Sequence, residues 1–573
     1  HKILVQKEID HSILDAILDE KNIREIWSKS FSFSKWYEHP EMIDLIKFHE
    51  INTGKLFYTE LHYYLYPLIK KYLQFIFVCE KYKNYKIIAP SHLSNQLDNL
   101  HSQIEYIPTE QKTESFIHDE IKFQLTNSLK INIPINYYKK FKDVSETLLS
   151  KFLTNNEHDN TKKQILLIEF DPIKYKDLLK TSKNYDIQLI LFNRRRPIIW
   201  NKESFDIIKN SNCKVINFDS KSLKSKIDMD KKIFLKNINN ILSKDDFFQT
   251  FFDLDGHSFW HIIKPFFKKI CKKRMLDAIQ EISLTEDLMK NSNLSSVIIW
   301  SENGFNEQIS LELSKKFGIK SMLLQHGMYW ETLENKPQNS FLGGIFHDKS
   351  DIFLSWGENT KEYFEKCGYS KKSKIIGSPV HDKLVNNISD VVDNDYLLLA
   401  TSSPQPNEPF DYNIENLELY EKIIHDICKI STDLKTKLII KLHPFQGELN
   451  LKKLIPKNKN IIIKQKGDIS SLIKHSKIFM TTDFSTTILD AFLLKKPVIS
   501  IKTKNRYIKE YPELFRESGI IHCRIDDLKS NIEKLSNSTL KQELLVKNQN
   551  FVNNYISLQG NSSTILSKYL SEN

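Results

Sequence analysis

Cysteine is scarce in this chain, and long apolar runs are missing. The six cysteines lie far apart and form no Cys-x-x-Cys pair, so the sequence suggests neither a zinc site nor a disulfide framework. No segment approaches the roughly 20 apolar residues that a helix needs to cross a bilayer. These absences predict a protein of the reducing cytoplasm. Because His1 stands where a Met or a signal peptide would be expected, we expect the chain to be a trimmed piece of something longer.

Three catalytic motifs are also missing. The chain has no GxxxxGK[ST] loop, no GxSxG elbow and no HExxH helix. ATPase, serine-hydrolase and zinc-protease functions therefore lack their minimum parts. We expect neither a bound cofactor nor a metal ion.

The composition is that of a folded, multidomain protein. With 573 residues, 40% hydrophobic and 27% charged, the chain has room for two or more cores. The formal net charge is +11, from 83 Lys and Arg against 72 Asp and Glu, and no long basic block is present. A solvated surface is the first interpretation. The alternative is an attraction to anionic nucleotides, phospholipid headgroups or acidic glycans. We expect no nucleic-acid partner.

The order of apolar runs predicts two α/β domains. Short runs alternate with amphipathic stretches of helical length, as in βαβ units with parallel sheets. The first series of predicted strands is 164–170, 187–192, 214–218, 296–300 and 320–325. The second series is 396–400, 436–442, 460–464, 478–481, 497–501 and 519–523. Each series predicts one doubly wound, Rossmann-like domain.

The predicted domain plan has four parts. They are a helical region at 1–113 with one strand near 86–89, a Rossmann-like acceptor domain at 114–391, a Rossmann-like nucleotide-donor domain at 392–555, and a polar tail at 556–573 that we expect to fray. Open α/β sheets bind ligands at the carboxyl ends of their strands. We therefore expect the two domains to face each other across a cleft and the chemistry to lie in strand-to-helix loops.

Two motifs in the second series are suited to phosphate binding. In Lys441-Leu442-His443-Pro444-Phe445, Pro444 ends a strand and leaves His443 in the following loop, where an imidazole can donate to a phosphate oxygen beside the charge of Lys441. The alternative is a surface turn with an incidental His. A second turn carries Ser485, Thr486 and Thr487 ahead of a predicted helix. One hydroxyl would suffice for capping, whereas three favour an anion site.

The first series has its own polar loops. Gln325-His326-Gly327 follows a predicted strand, and His326 could take a proton from an acceptor hydroxyl while Gly327 permits close approach. A structural histidine is the alternative. Glu302 ends another strand and is a second candidate base.

An arginine-rich turn is a further anion-binding candidate. Arg194 and Arg195 follow the strand at 187–192, where guanidinium groups could bind carboxylates or phosphates. A solvated basic turn explains them equally well.

Residues 296–505 resemble the GT-B glycosyltransferase superfamily, and within it the bacterial surface-polysaccharide enzymes that use cytidine-nucleotide donors: Kdo transferases, sialyl- and polysialyltransferases, and CDP-glycerol glycerophosphotransferases. The resemblance implies that His443 and Pro444, followed about 40 residues later by Ser485, Thr486 and Thr487, hold the donor nucleotide and phosphates. It assigns His326 to the important histidine of a QHG-type loop. Glu302 matches the acidic-acidic-Gly motif of sialyltransferases, with Asn303 in the second acidic position.

The resemblance implies a glycosyltransferase that moves Kdo, a nonulosonate or glycerophosphate from a CMP- or CDP-linked donor to a surface polysaccharide or glycolipid. We expect the transfer to be metal-independent. The enzyme would be cytoplasmic, with peripheral contact to the inner face of the cell membrane or to a polysaccharide-assembly complex. The alternatives are a UDP-sugar transferase, a UDP-sugar 2-epimerase, and a noncatalytic glycan-binding module that keeps the fold.

Overall fold

The computed structural model describes most of the chain. The described ranges are 2–109, 120–124, 130–150, 162–216, 221–329, 349–368, 372–386, 395–402, 414–443, 455, 458–503 and 513–573. Pro444 lies outside these ranges, so its predicted role receives no structural account. Within the ranges, none of the helices is both long and apolar enough to cross a membrane.

The strands are short, as the apolar runs predict. They are β1 (Lys47–Phe48), β2 (Ile51–Asn52), β3 (Ile87–Pro90), β4 (Ile104–Ile107), β5 (Glu120–Gln124), β6 (Lys130–Pro134), β7 (Lys163–Ile168), β8 (Ile187–Phe192), β9 (Lys214–Val215), β10 (Asp253–Leu254), β11 (His257–Ser258), β12 (Leu294–Ile299), β13 (Lys320–Leu324), β14 (Ile352–Ser355), β15 (Ser373–Ile375), β16 (Tyr396–Ala400), β17 (Lys437–Lys441), β18 (Ile461–Lys464), β19 (Ile478–Thr482), β20 (Val498–Ile501) and β21 (Ile521–Cys523).

Helices separate most of these strands. They are α1 (Lys2–Gln6), α2 (Glu20–Ser34), α3 (Pro40–Ile43), α4 (Tyr58–Lys81), α5 (Ser94–Leu97), α6 (Ile135–Ser150), α7 (Lys176–Thr181), α8 (Lys202–Lys209), α9 (Lys221–Leu242), α10 (Asp245–Phe251), α11 (Trp260–Lys290), α12 (Phe305–Phe317), α13 (Glu358–Lys366), α14 (Asp382–Asn386), α15 (Ile414–Asp433), α16 (Ile469–Lys474), α17 (Thr487–Leu493), α18 (Ile525–Lys534), α19 (Ser538–Tyr555) and α20 (Ser562–Glu572).

Two large sheets carry the fold. The first has seven strands in the order β15-β14-β13-β12-β7-β8-β9, and the second has six in the order β18-β17-β16-β19-β20-β21. Every neighbouring pair in the second sheet is parallel. The predicted α/β class with two doubly wound sheets is therefore confirmed. The first sheet also contains β14 and β15, which the predicted series does not include, and β9 covers Lys214–Val215, while residues 217–218 of its predicted run lie outside the described ranges.

Burial explains why these apolar runs become central strands. In β8, β16 and β19 every residue is buried, as expected for parallel strands that are covered on both faces. One face of the six-stranded sheet packs against α17 and α19, through a cluster that includes Leu398, Phe479, Ile488, Phe492 and Tyr555. The other face packs against α15, through a cluster that includes Leu399, Tyr420, Ile424, Ile440 and Met480.

The chain divides into two compact units. The first unit comprises His1–Ile173, Gln188–Val297 and Asn303–Lys320, and the second comprises Lys174–Ile187, Ile298–Glu302 and Ser321–Asn573. Each compact unit therefore combines segments that are separated in the sequence. The domain boundaries near residues 113, 391 and 555 stay predictions.

The C-terminal residues are ordered, so the expectation that the tail frays is wrong. Helix α20 occupies Ser562–Glu572 and buries Leu566 and Leu570 almost completely. Its first turn is held by Asp382, whose carboxylate accepts hydrogen bonds from Ser562 N at 3.1 Å and Ser563 N at 2.6 Å. Although the tail is polar in composition, α20 has a short apolar face, and the helix packs against α7.

Replacing Asp382 with Ala should destabilise the protein measurably. The carboxyl is buried, and its loss would leave two backbone donors at the start of α20 without their acceptor. We expect a loss of about 1–3 kcal/mol in the free energy of unfolding, measured by urea titration. The control is Asp395→Ala, since the Asp395 side chain is 84% exposed and lies 3.5 Å from Lys477. Equal effects of the two substitutions would contradict the anchoring role.

Candidate functional site

The loop after β13 is fixed by Gln325. This side chain is fully buried, and its amide nitrogen donates to Gly327 O at 2.9 Å and to Thr360 Oγ1 at 3.1 Å. Its amide oxygen accepts from Trp356 N at 2.7 Å. With both ends of the amide engaged, Gln325 shapes the loop that presents His326. A direct contact of Gln325 with an acceptor therefore has little geometric support.

His326 is largely enclosed in the second unit. The hydroxyl of Tyr329 lies 3.2 Å from His326 Nδ1, and the Trp300 ring packs edge-on at 5.2 Å between centroids. Burial lowers the pKa of His326 to about 4, and the positive charge of Lys174 adds to this, while a hydrogen bond to the Trp300 backbone opposes it. The imidazole is thus neutral at pH 7.

Tyr329 is itself held by a distant tyrosine. The buried hydroxyl of Tyr555, at the end of α19, accepts from Tyr329 N at 2.6 Å and donates to Tyr329 O at 3.0 Å. One side chain thereby satisfies both backbone groups of a residue 226 positions away. The ring of His326 is consequently oriented by a chain of contacts that begins in α19.

The hydroxyl loop, Ser485–Thr487, lies between β19 and α17. Thr487 Oγ1 donates to Ser485 Oγ at 3.0 Å, and Thr487 N approaches the same oxygen at 3.4 Å. Thr486 is the N-cap of α17, but its side chain makes no capping hydrogen bond. Of these hydroxyls, that of Ser485 is the one that accepts a hydrogen bond from an N–H group of the first turn. All three side chains are partly exposed, as an anion site requires.

The residues that precede the hydroxyl loop hold it rigidly. Asp483 has a positive φ of 52°, and its carboxylate accepts from Thr503 N at 3.1 Å and from the Thr503 hydroxyl. Thr482 Oγ1 accepts from Ser402 N at 2.9 Å. Thr503 and Ser402 follow β20 and β16, the two neighbours of β19. The loop is thus braced from both sides of its strand.

Lys441 and His443 lie at the same edge of the six-stranded sheet. Ala400 is paired with Lys441 on one side and with Thr481 on the other, so β17 and β19 end level with each other. Two strand spacings separate these ends by about 10 Å. Partial burial and the charge of Lys441 lower the pKa of His443.

The charge of Lys441 is less available than predicted. Its side chain is 6% exposed, and Nζ donates to Gln465 O at 2.6 Å and to Leu442 O at 3.3 Å. Lys441 would therefore act on a bound anion through its positive charge, from its buried position at the end of β17.

Two of the predicted loops meet within the second unit. A β-carbon placed on Gly327 would lie 3.9 Å from Thr486 Oγ1, which is ordinary van der Waals distance. The QHG loop and the hydroxyl loop therefore approach each other although they follow strands of different sheets. This juxtaposition could not be read from the sequence.

Glu302 has protein partners that account for its burial. It is 1% exposed, and its carboxylate accepts from Lys349 N at 2.9 Å, from Ser350 N at 2.8 Å and from the Ser350 hydroxyl. These bonds shape the chain ahead of β14. Both oxygens of the Glu302 carboxylate already accept hydrogen bonds from the protein, which would compete with an acceptor hydroxyl. The geometry therefore favours His326 as the catalytic base.

Arg194 is committed to internal carboxylates of the first unit. Its Nε donates to Glu281 Oε2 at 2.7 Å, and one terminal nitrogen lies 3.3 Å from Asp143 Oδ1. Burial alone would lower the pKa of Arg194, but the charge and hydrogen bond of Glu281, together with the charges of Asp143 and Glu146, outweigh it and raise that pKa. The predicted contact of Arg194 with an acceptor or anion would require this pair to open.

Arg195 belongs to a cluster that the sequence did not reveal. It is 44% exposed and pairs with the buried carboxylate of Glu307, while Glu169 accepts from Arg195 N at 2.9 Å. Burial raises the pKa of Glu307 to about 7, with Arg195 opposing the shift and Glu169 adding to it. A β-carbon on Gly304 would overlap the Glu307 carboxylate. Glycine at this position leaves the space that the carboxylate fills.

The two parallel sheets, with polar loops at the carboxyl ends of their strands, define an α/β enzyme fold. Residues 43–538 match the model of the LIC12162 family transferase, and the chain belongs to this family. The protein is therefore a transferase. No curated protein matches the chain.

Several solved structures are similar to part of the chain at low sequence identity. The Staphylococcus aureus protein MnaA with UDP has 12% identity and a TM-score of 0.44, over 70% of this chain and 94% of that one. A UDP-GlcNAc 2-epimerase from Neisseria meningitidis has 14% identity and a TM-score of 0.44, over 72% and 100%. A variant of the wall teichoic acid polymerase TagF has 13% identity and a TM-score of 0.42, over 76% and 97%.

Replacing Tyr555 with Phe should loosen the QHG loop. The substitution removes one hydroxyl and leaves the Tyr329 N–H and C=O without their buried partner. We expect a loss of about 1–3 kcal/mol in the free energy of unfolding and faster amide exchange at residues 325–329. The control is Tyr85→Phe, since Tyr85 is 67% exposed. Unchanged exchange at the loop in the Tyr555 variant would contradict the link.

Proposed function

We propose that this transferase moves a sugar or sugar-like group, such as Kdo, a nonulosonate or glycerophosphate, from a cytidine-nucleotide donor to a surface polysaccharide or glycolipid. The observation that carries the proposal is the approach of Gly327 to Thr486. This approach places the QHG loop, which carries the neutral imidazole of His326, beside the hydroxyl loop in one compact unit. Such a pair can serve a proton acceptor and a phosphate site in the same reaction.

The donor phosphates would bind at the carboxyl edge of the six-stranded sheet. Ser485, Thr486 and Thr487 offer hydroxyl donors at the start of α17, and His443 offers an imidazole N–H from the end of β17. The braced positions of Thr482 and Asp483 hold the hydroxyls in place before a ligand arrives. Fixed donors aimed at a departing phosphate stabilise the charge that develops on it, which is the largest contribution we expect.

The acceptor hydroxyl would lose its proton to His326. The neutral imidazole is the form that can accept a proton, although a pKa of about 4 makes it a weak base in the free protein. The negative charge of a bound donor phosphate would favour the imidazolium form and raise that pKa. Donor binding would thus activate the base, and Tyr329 would keep its ring oriented.

Nucleotide binding provides the direct test of the donor assignment. CMP, CDP, UDP and GDP are compared by thermal shift and by isothermal titration, since a ligand that binds only the folded state raises its melting temperature. We expect the cytidine nucleotides to bind most tightly. Preference for UDP would favour a UDP-sugar enzyme, and nucleotide binding without transfer to any glycan acceptor would favour a noncatalytic module.

Replacing His443 with Ala should weaken nucleotide binding by about 10- to 100-fold, because a hydrogen bond to a charged group is lost. The matched control is His425→Ala on α15, since the His425 side chain is 55% exposed and lies 3.8 Å from its neighbour Asp426. Unchanged affinity in a folded His443 variant would remove this residue from the donor site.

Replacing His326 with Ala should lower turnover by about 10²- to 10⁴-fold with nucleotide affinity nearly unchanged.

In the wild type, kcat/KM should stay constant as the pH falls through 6.5 and should decline only towards about pH 4, because the imidazole of His326 stays neutral over that range. An acid limb centred at 6.5 or above would point to another group. Loss of turnover in Glu302→Gln with near-normal turnover in His326→Ala would assign the base to Glu302.

A further inference from the structure

Helix α6 in the first unit is amphipathic in the opposite sense from an ordinary surface helix. Its inner face carries Lys142 and Glu146, which are 2% and 7% exposed and pair at 3.0 Å. The Glu146 carboxylate also accepts from Ile198 N at 2.6 Å. Surface helices normally direct their apolar stripe to the core. On α6, by contrast, the side that faces the protein carries the ion pair of Lys142 and Glu146.

The outer face of α6 carries the apolar side chains. Tyr137, Phe141, Val144 and Leu148 are 69%, 74%, 59% and 54% exposed. Their spacing of four, three and four residues places them on one side of the helix, opposite the buried pair. Single exposed apolar residues are ordinary, whereas a continuous stripe marks a surface that meets an apolar partner.

Helix α9 presents a second exposed apolar pair close to α6. Met229 and Ile233 are one turn apart and are 63% and 55% exposed. Both helices line the same cavity of about 290 Å³, through Asp143 and Glu146 of α6 and Leu223 and Ile227 of α9. The two helices that carry the exposed apolar faces are therefore neighbours in the first unit.

The charges around these faces are mainly positive. Exposed lysines are Lys140 on α6 and Lys224, Lys226, Lys232 and Lys236 on α9, whereas the exposed acids on the two helices are Asp143 and Asp228. Apolar side chains flanked by lysines match the interface of an anionic bilayer, where the rings and aliphatic chains enter the headgroup region and the lysines meet lipid phosphates. In a twofold dimer the same patch would meet itself, so lysines would face lysines.

We propose that the outer faces of α6 and α9 form a docking surface for an anionic lipid membrane. The surface is defined by Tyr137, Phe141, Val144, Leu148, Met229 and Ile233 together with Lys226, Lys232 and Lys236. This inference is independent of the donor nucleotide. It would hold the transferase at a membrane as a peripheral protein.

Vesicle sedimentation tests the docking surface with the full chain. Phosphatidylcholine vesicles are compared with vesicles that also contain phosphatidylglycerol, at low and high salt. We expect binding to the anionic vesicles only, weakened by salt. Phe141→Glu with Val144→Glu should weaken this binding by at least about tenfold, and so should Lys226→Glu with Lys232→Glu. The matched control is Val546→Glu on α19, where Val546 is 59% exposed.

The outcomes separate docking from misfolding and from self-association. Each variant is first checked for an unchanged melting temperature. Nucleotide binding is then compared between each variant and the wild type. A failure of the donor proposal would appear in the wild type as well, whereas a failure of the docking proposal would not affect nucleotide binding. Equal binding to neutral and anionic vesicles, or equal binding by the wild type and the Phe141 variant, would overturn the proposal. A wild-type dimer that becomes monomeric in the Phe141 variant, without vesicle binding, would reassign the surface to contact between copies of this chain.

Discussion

The parallel register of β16 with its two neighbours is the constraint on which the donor side depends. Ala400 lies opposite both Lys441 and Thr481, so the chain leaves β17 and β19 at one level of the sheet edge. A slip of one residue would turn every side chain of a strand to the other face. Because β16 and β19 are buried on both sides, such a slip would misplace the helices as well. The hydrophobic core therefore determines where the polar loops end.

The C-terminal helices set the geometry of a loop that is far away in sequence. Tyr555 holds Tyr329, and Gly357 leaves room for the backbone of Tyr555, since a β-carbon there would overlap its carbonyl oxygen. Asp382 then fixes the start of α20. The end of α19 thus braces the loop that carries His326, while Asp382 fixes the helix that follows α19. Stability and site geometry are coupled through these contacts.

Much of the fold was predictable from the sequence because buried parallel strands give continuous apolar runs. The run at 396–400 matches β16, and 187–192 matches β8. The strand Ile352–Ser355 is not part of the first predicted series, which ends at 320–325, although its apolar residues form a run of the same kind. Contacts between distant residues left no local signal: neither the approach of Gly327 to Thr486 nor the pairing of Arg195 with Glu307 appears in any sequence pattern. The internal engagement of Glu302 and Arg194 was hidden for the same reason.

Two enclosed titratable groups with large pKa shifts, His326 in the second unit and Glu307 in the first, have opposite proton linkage. Between about pH 4 and 6.5 the unfolded chain binds a proton at His326 that the folded protein does not, so this group stabilises the fold progressively as the pH rises. Between pH 4.5 and about 7 the folded protein retains a proton at Glu307 that the unfolded chain releases, so this group removes stability as the pH rises. Their windows overlap and their slopes have opposite sign. Where the windows overlap, the contributions of these two groups to the pH dependence of stability therefore oppose each other.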